Sequence, residues 1–452
     1  MSCLDKAGWE SAEAPDADII IINSCGFIES AKQESINAVI EWRKLYPNKK
    51  ILLAGCLAQR YAKELAGTLT EADGFFGTDN IASITDAVSK ITGGAVSGAQ
   101  AKPDNGDAVN SDAKPDTGKR PLLSLPGSAY VKISEGCSNR CSFCAIPLIR
   151  GNHVSRAIPD IVQECRSLIK RGIAELCIIG QDIGSFGIDT SAADVSRAKL
   201  PELLKAISAL EGHFWVRLLY IHPDHFPIQI LDIMEKDTRF LPYFDIPFQH
   251  ASSKILTAMN RRGSAEEYLA LLETIRTRLP RAVIRSTFLL GFPGETEEDF
   301  AELLDFQEKA NMDWLGCFTY SREEGTPAFS MKGRVSAKTA EARKQKIEER
   351  QITITEKNME RFTGETLEVL IEERIDSAAE PGGEADIESA ENFLLGRLYC
   401  QAPEIDGMAV IADSGANSGA EGNANEKSAQ LGKFAKCKVI ARRGFDLEVK
   451  LL

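Results

Sequence analysis

The chain has 452 residues, with 53 Lys+Arg against 66 Asp+Glu and a formal net charge of −13. Hydrophobic residues at 43% and charged residues at 26% match a globular protein and exclude a disordered or collagen-like chain. No run of about 18 apolar residues is present, which argues against a membrane span, and the acidic balance argues against nucleic acid as the main partner.

The opening stretch (MSCLDKAGWESAEAPDAD) is polar and acidic, unlike a signal or transit peptide, so a cytoplasmic location is expected. Asp18–Asn23 and Lys50–Ala54 are short continuous apolar runs flanking a helix-permissive stretch (ESAKQESINAVIEWRKLY). That is a βαβ pattern and predicts an α/β domain over residues 1–92. Residues 93–121 have almost no large apolar side chains and read as a low-complexity linker, as do 414–430 and, more weakly, 376–391.

From 122 to 361 the alternation repeats. Strands are expected at Tyr130–Ser134, Leu176–Gly180, Trp215–Ile221, Tyr243–Pro247, Val283–Leu290 and Leu315–Tyr320, with helical segments between several of them. Six βα-type units suggest a parallel (β/α)6 barrel or part-barrel, with functional residues at the carboxyl ends of its strands. The charged run SAKTAEARKQKIEERQITITEKNMERF reads as a surface helix. Residues 362–452 offer five strand-like pieces and little helical signal, which fits a small β-barrel.

Eleven cysteines, an odd number, suit ligands, catalytic groups or core residues better than disulfides in a cytoplasmic chain. The strongest signal is Cys137-Ser-Asn-Arg-Cys141-Ser-Phe-Cys144, directly after the first strand of the middle block. Three thiolates at this spacing can converge on an iron–sulfur cluster and leave one iron open for a ligand. A structural zinc site wants four ligands, and the next candidate, His153, is nine residues on.

This motif resembles the radical S-adenosylmethionine (SAM) enzymes. The resemblance implies that Cys137, Cys141 and Cys144 hold a [4Fe–4S] cluster whose open iron chelates SAM. SAM is then cleaved to a 5′-deoxyadenosyl radical that takes hydrogen from an unactivated C–H bond. Asn23-Ser-Cys25-Gly-Phe-Ile-Glu-Ser and Gly55-Cys56-Leu-Ala-Gln-Arg resemble the N-terminal domain of the methylthiotransferases, which insert sulfur and a methyl group. By that resemblance Cys25 and Cys56 are two ligands of a second [4Fe–4S] cluster. Family members carry a third ligand in a Gly-Cys turn after an opening strand. Here Cys3-Leu-Asp-Lys-Ala-Gly-Trp reads instead as a helix end with Gly8 as its C-cap, so the opening segment and its cysteine are expected to be missing.

Two substrate classes exist in the family, transfer-RNA adenosines and an aspartate of a small-subunit ribosomal protein. The segments after Cys25 (GFIESAKQES), Ile146-Pro-Leu-Ile-Arg-Gly, Asp245-Ile-Pro-Phe-Gln-His and Ala402-Pro-Glu-Ile-Asp-Gly resemble the ribosomal-protein branch. From Phe362 onward, 17 acidic and nine basic residues give a net −8, which suits a basic ribosomal protein better than RNA. In this family the C-terminal barrel, the TRAM domain, is the recognition module. An electron donor and a sulfur source are also implied. A non-enzymatic iron–sulfur carrier is the alternative of another class.

Gly291-Phe-Pro-Gly294-Glu295-Thr296-Glu-Glu-Asp299 ends the fifth strand and opens a helix, with Thr296 and Asp299 as a capping box. Phe143, Gln181, Gly291, Glu295 and Arg150 are candidate cofactor-binding residues, the last equally a surface arginine. His222-Pro-Asp-His225 fits a strand-end turn better than a metal site. Cys165, Cys177, Cys317, Cys400 and Cys437 sit singly and read as small packing residues.

Overall fold

A computed structural model describes residues 2–78, 80–93, 122, 124–190, 198–375, 393–412 and 430–452. The low-complexity stretches expected at 93–121, 376–391 and 414–430 therefore lie almost wholly outside the described residues. The chain divides into two compact units. One comprises Met1–Pro121, Glu135–Val154 and Ser321–Lys332; the other comprises Leu122–Ser134, Ser155–Tyr320 and Gly333–Leu452.

In the first unit, Ile19–Ser24, Lys50–Gly55 and Gly74–Phe76 form a parallel three-stranded sheet. The third strand is only three residues long, too short to show a period in sequence. Successive side chains of a strand point to opposite faces. Accordingly Ile51 and Leu53 pack with Val39 and Leu57, while Leu52 packs with Leu4 and Val88. Helix Glu29–Leu45 fills the βαβ crossover as expected. The short helix Ser2–Lys6 ends as its sequence suggests: Gly8 takes φ +86°, and Trp9 N donates to Leu4 O at 3.0 Å.

The second unit begins with six parallel strands in sequential order: Ser128–Lys132, Glu175–Ile179, Trp215–Leu218, Phe240–Asp245, Val283–Leu290 and Trp314–Thr319. The sheet is open, so it is a part-barrel. The third strand stops short of its expected end because Tyr220 turns to φ +68° and donates its N–H to Asp245 Oδ2 at 3.1 Å. Thr296 and Asp299 form the expected capping box at the start of helix Glu297–Ala310.

Helix Ala337–Glu360 corrects one expectation. It is not a solvated surface helix: Ala340, Arg343, Ile347, Gln351, Thr355 and Asn358 form a buried stripe at helical spacing. The stripe is mostly polar, so it was invisible as an apolar face. Its amide and hydroxyl groups are matched by partners: Gln351 Nε2 donates to Met312 O at 2.8 Å, and Thr355 Oγ1 donates to Asp313 O at 2.7 Å.

The last five strands, Thr366–Ile375, Phe393–Arg397, Ala409–Ala412, Phe434–Arg443 and Asp446–Leu451, close a small barrel. It packs against the amino-terminal end of the part-barrel. Trp215, Val283 and Trp314, each the first residue of its strand, share one core with Val369, Ile371, Leu394 and Val439. A fully buried ionic group lies beside that core. Arg397 grips Glu372 through Nε at 2.9 Å and Nη2 at 2.6 Å and also reaches Glu175, which Arg217 Nε holds at 2.7 Å. The carboxyl ends of the strands are left to the functional site, as in other barrels of this kind.

The charge of the C-terminal region needs correction too. Its described residues carry eight acidic and eight basic side chains, so the barrel itself is neutral. The whole −8 read from Phe362 onward therefore belongs to 376–392 and 413–429, outside the described residues, and the barrel's own charge does not select a basic protein over RNA.

Candidate active site

In the first unit Ser24 and Gly55 pair across neighbouring strands, which places Cys25 and Cys56 at equivalent positions just past the sheet's carboxyl edge. Gly26 lies against the backbone of Cys56: a Cβ there would fall 2.6 Å from Cys56 O. Gly55 takes φ +105°, a conformation other residues rarely adopt, to turn strand into helix. Cys56 is the first residue of helix Cys56–Thr68, whose amino end favours an anionic group such as a ligating thiolate. Four residues on, Arg60 Nη1 pairs with buried Glu323 at 2.7 Å, and Lys32 reaches the same carboxylate at 3.1 Å.

The loop of Cys137, Cys141 and Cys144 belongs to the same unit and is pinned by its backbone. Cys137 N donates to Gly151 O at 3.2 Å, Cys144 N to Cys141 O at 3.0 Å, and Ala328 N to Ser142 O at 2.9 Å. Gly136 has φ +72°, and a Cβ there would lie 2.2 Å from Asn152 O. His153 contributes a backbone N–H to Ser138 Oγ at 3.1 Å. Phe143 is half-buried in the loop.

The three thiols are half-buried, as is Cys56, and Cys25 is exposed, whereas Cys165, Cys177, Cys317, Cys400 and Cys437 are all buried. Cys3 is half-buried as well. Among the described residues no three His, Cys, Asp or Glu side chains surround a single-ion site. A four-iron cube puts each thiolate on a different iron, so its ligands stand farther apart than around one ion. The soft, all-thiol donor set fits such a cluster and suits no hard cation.

Arg150 closes the helix Ile146–Arg150 and is no free surface residue. Its Nη1 pairs with Glu135 at 2.6 Å, and its Nη2 points at Cys56 Sγ at 3.4 Å.

In the second unit the strand ends carry buried polar atoms with no hydrogen-bond partner: Ser134 Oγ, Gln181 Oε1 and His250 Nε2. They follow the first, second and fourth strands of the part-barrel. Orphaned polar atoms at these positions fit a polar ligand such as SAM. His250 accepts the Ser252 N–H on Nδ1 at 3.0 Å, so its neutral ring carries a proton on Nε2. Burial pushes its pKa down to about 3 and keeps the ring neutral. Ser134 and His250 escaped notice in the sequence; only their place at strand ends signals them.

Asp182, beside Gln181, accepts from Gly184 N at 3.0 Å and His222 N at 3.1 Å and is occupied in shaping the turn. His222 caps a one-turn helix by accepting Asp224 N at 3.3 Å, so the His222–His225 segment is the turn its sequence suggested.

Glu295 is buried with both oxygens engaged. Oε2 accepts Gly291 N at 2.7 Å and Phe292 N at 3.2 Å, and Oε1 pairs with Arg343 Nη1 at 2.6 Å. Gly291, at φ +75°, lies so close to helix Ala337–Glu360 that a Cβ would meet Ala340 Cβ at 2.5 Å. Glu295 therefore shapes the glycine loop from within.

Comparison with known proteins decides the family. Residues 131–306 match the Radical SAM superfamily, 1–77 the uncharacterized protein family UPF0004, and 363–452 the TRAM domain. A Treponema denticola protein named ribosomal protein uS12 methylthiotransferase RimO is 44% identical over 98% of this chain and 95% of its own length. One of the same name from Syntrophomonas wolfei is 39% identical over 91% of this chain and 89% of its own. The chain belongs to this RimO family of radical SAM methylthiotransferases. The solved radical SAM methyltransferase TsrM from Kitasatospora setae, 15% identical, has a TM-score of 0.51 over 72% of this chain and 68% of that one, a likeness of fold alone.

As a radical SAM methylthiotransferase the chain is an enzyme that uses SAM and a [4Fe–4S] cluster. None of its described helices is long and apolar enough to cross a membrane. Of the candidate site residues, the first unit brings together Cys25, Cys56 and Arg150 and also carries Cys137, Cys141, Cys144 and Phe143; Gln181, Gly291 and Glu295 lie in the second.

Proposed function

We propose that this enzyme transfers a methylthio group to the β-carbon of an aspartate in ribosomal protein uS12, in the cytoplasm, with SAM as both methyl donor and radical source. The observation that carries the reading is the pinned Cys137–Cys141–Cys144 loop, in a chain whose full-length relatives bear the uS12 name. When bound, the cluster supplies the electron that cleaves SAM to a radical able to attack an unactivated C–H bond. A general base alone would face a prohibitive barrier, because that β C–H is a poor acid with no leaving group beside it.

The protein's own residues hold and orient. Cys137, Cys141 and Cys144 ligate, and Gly136 lets the loop turn tightly against Asn152. At the strand ends of the second unit Ser134, Gln181 and His250 offer unpaired polar atoms to a polar ligand, with His250 Nε2 donating. Glu295 keeps the Gly291 backbone in place through its two accepted N–H groups. By the same likeness Cys25 and Cys56 would be two of the three protein ligands of a second [4Fe–4S] cluster used in sulfur delivery, and the reaction needs an external sulfur source and an external electron donor.

Because the described part of the barrel is neutral, transfer RNA remains the rival substrate. Incubating the cluster-reconstituted enzyme separately with uS12 and with transfer RNA decides between them. A mass gain on uS12 is expected; a gain on RNA alone would sink the reading.

A further inference from the structure

The segment Arg150–Gly151 touches both cysteine sets. Gly151 O accepts the N–H of Cys137 at 3.2 Å, and Arg150 Nη2 donates toward Cys56 Sγ at 3.4 Å. The guanidinium is held by Glu135, two residues before Cys137, at 2.6 Å. Arg150 is 26% exposed and Glu135 31%, and a partly open pair of this kind adds little to stability. Its geometry is better explained by what the other end of the fork reaches. Arginine presents several donors in a rigid plane, so one side chain can satisfy a carboxylate and a sulfur together.

We propose that Arg150 is a positioning residue that ties the SAM-cluster loop to the second cluster and raises that cluster's reduction potential. The inference rests on the reading of Cys56 as a cluster ligand. A cation that donates an N–H to a ligating sulfur stabilises the reduced, more negative cluster, and hydrogen bonds to sulfur are an established means of setting such potentials. Because Glu135 adjoins the Cys137 loop, a shift of that loop is transmitted through one ion pair to the Cys56 sulfur.

The test is a mediated redox titration of the reconstituted enzyme, followed by electron paramagnetic resonance. SAM perturbs the signal of the cluster on Cys137, Cys141 and Cys144; the second cluster is the SAM-insensitive signal. Arg150→Gln is expected to shift the oxidised-to-reduced ratio of that signal about tenfold toward oxidised, which is 59 mV for a one-electron couple. Arg150→Lys should fall between, and Glu135→Gln should shift the same way by less. An unmoved midpoint in Arg150→Gln with both clusters retained overturns the proposal. Should that variant lose its second cluster, the direction of the shift in Glu135→Gln decides. Loss of the SAM-insensitive signal in Cys56→Ala supports the underlying reading. If the signal persists there, or the parent enzyme lacks it, Cys56 is no ligand and the inference falls with that reading.

Discussion

Glu295 illustrates how a buried carboxylate can shape a glycine loop from within. Its carboxylate is spent on two backbone N–H groups and on Arg343, all inside the protein. Glu295→Ala leaves the Arg343 charge buried without its main partner, and breaking such a pair costs about 3–5 kcal/mol. Thermal unfolding should show a clear loss of stability; an unchanged midpoint would mean that the pair is idle. The cysteines make the complementary case. Cys141→Ala is expected to abolish formation of 5′-deoxyadenosine while leaving the fold intact, whereas Cys165→Ala, in the buried core, should cost about 1 kcal/mol and leave SAM cleavage unchanged. Liquid chromatography of the nucleoside product separates the two outcomes. Cys137, Cys141 and Cys144 stand out in the sequence because their spacing is a chemical signature. Ser134 and His250 were not, since a lone serine or histidine says nothing until a strand end is located beneath it.

Most helices and strands stand within a few residues of where periodicity put them, because their buried faces are apolar. The exception, helix Ala337–Glu360, buries Arg343, Gln351, Thr355 and Asn358, and no hydrophobic pattern reports a polar stripe. The junction of the barrel with the part-barrel also buries ionisable groups beside its apolar core, with consequences for pH. Burial pushes Glu175 up, yet Arg217 and Arg397 hold it at about 2, below its ordinary 4.5. The stability it contributes is present above pH 4.5 and is lost as pH falls toward 2. Asp406 behaves oppositely. Burial raises it from 3.8 to about 6, against the hydrogen bond from Tyr243 at 2.6 Å. Its contribution is present below pH 3.8 and is lost as pH rises through 6. Asp406→Asn keeps an acceptor for Tyr243 and Ala402 without the charge. It should therefore raise the unfolding temperature relative to the parent at pH 8 and lose that advantage toward pH 4. A gain independent of pH would show that Asp406 does not titrate in this range. Arg397→Met, which strands Glu372, should cost about 3–5 kcal/mol by the same measurement at neutral pH.

At the scale of the whole chain, the net charge of −13 proved a poor guide to partners. The C-terminal excess lies outside the described residues and the described barrel is balanced, so the substrate reading rests on sequence likeness. Composition cannot separate a charged tail or insert from a charged face, which is why that inference needed correction while the fold class did not. The central claim concerns one bond, the β C–H of an aspartate in uS12. The most direct test supplies uS12 carrying β-deuterated aspartate, together with SAM, reductant and a sulfur source, and follows the nucleoside product by mass spectrometry. Deuterium in 5′-deoxyadenosine, with a methylthio group on the same aspartate, is the predicted result. SAM cleavage without deuterium transfer, or modification of transfer RNA in its place, would contradict the account.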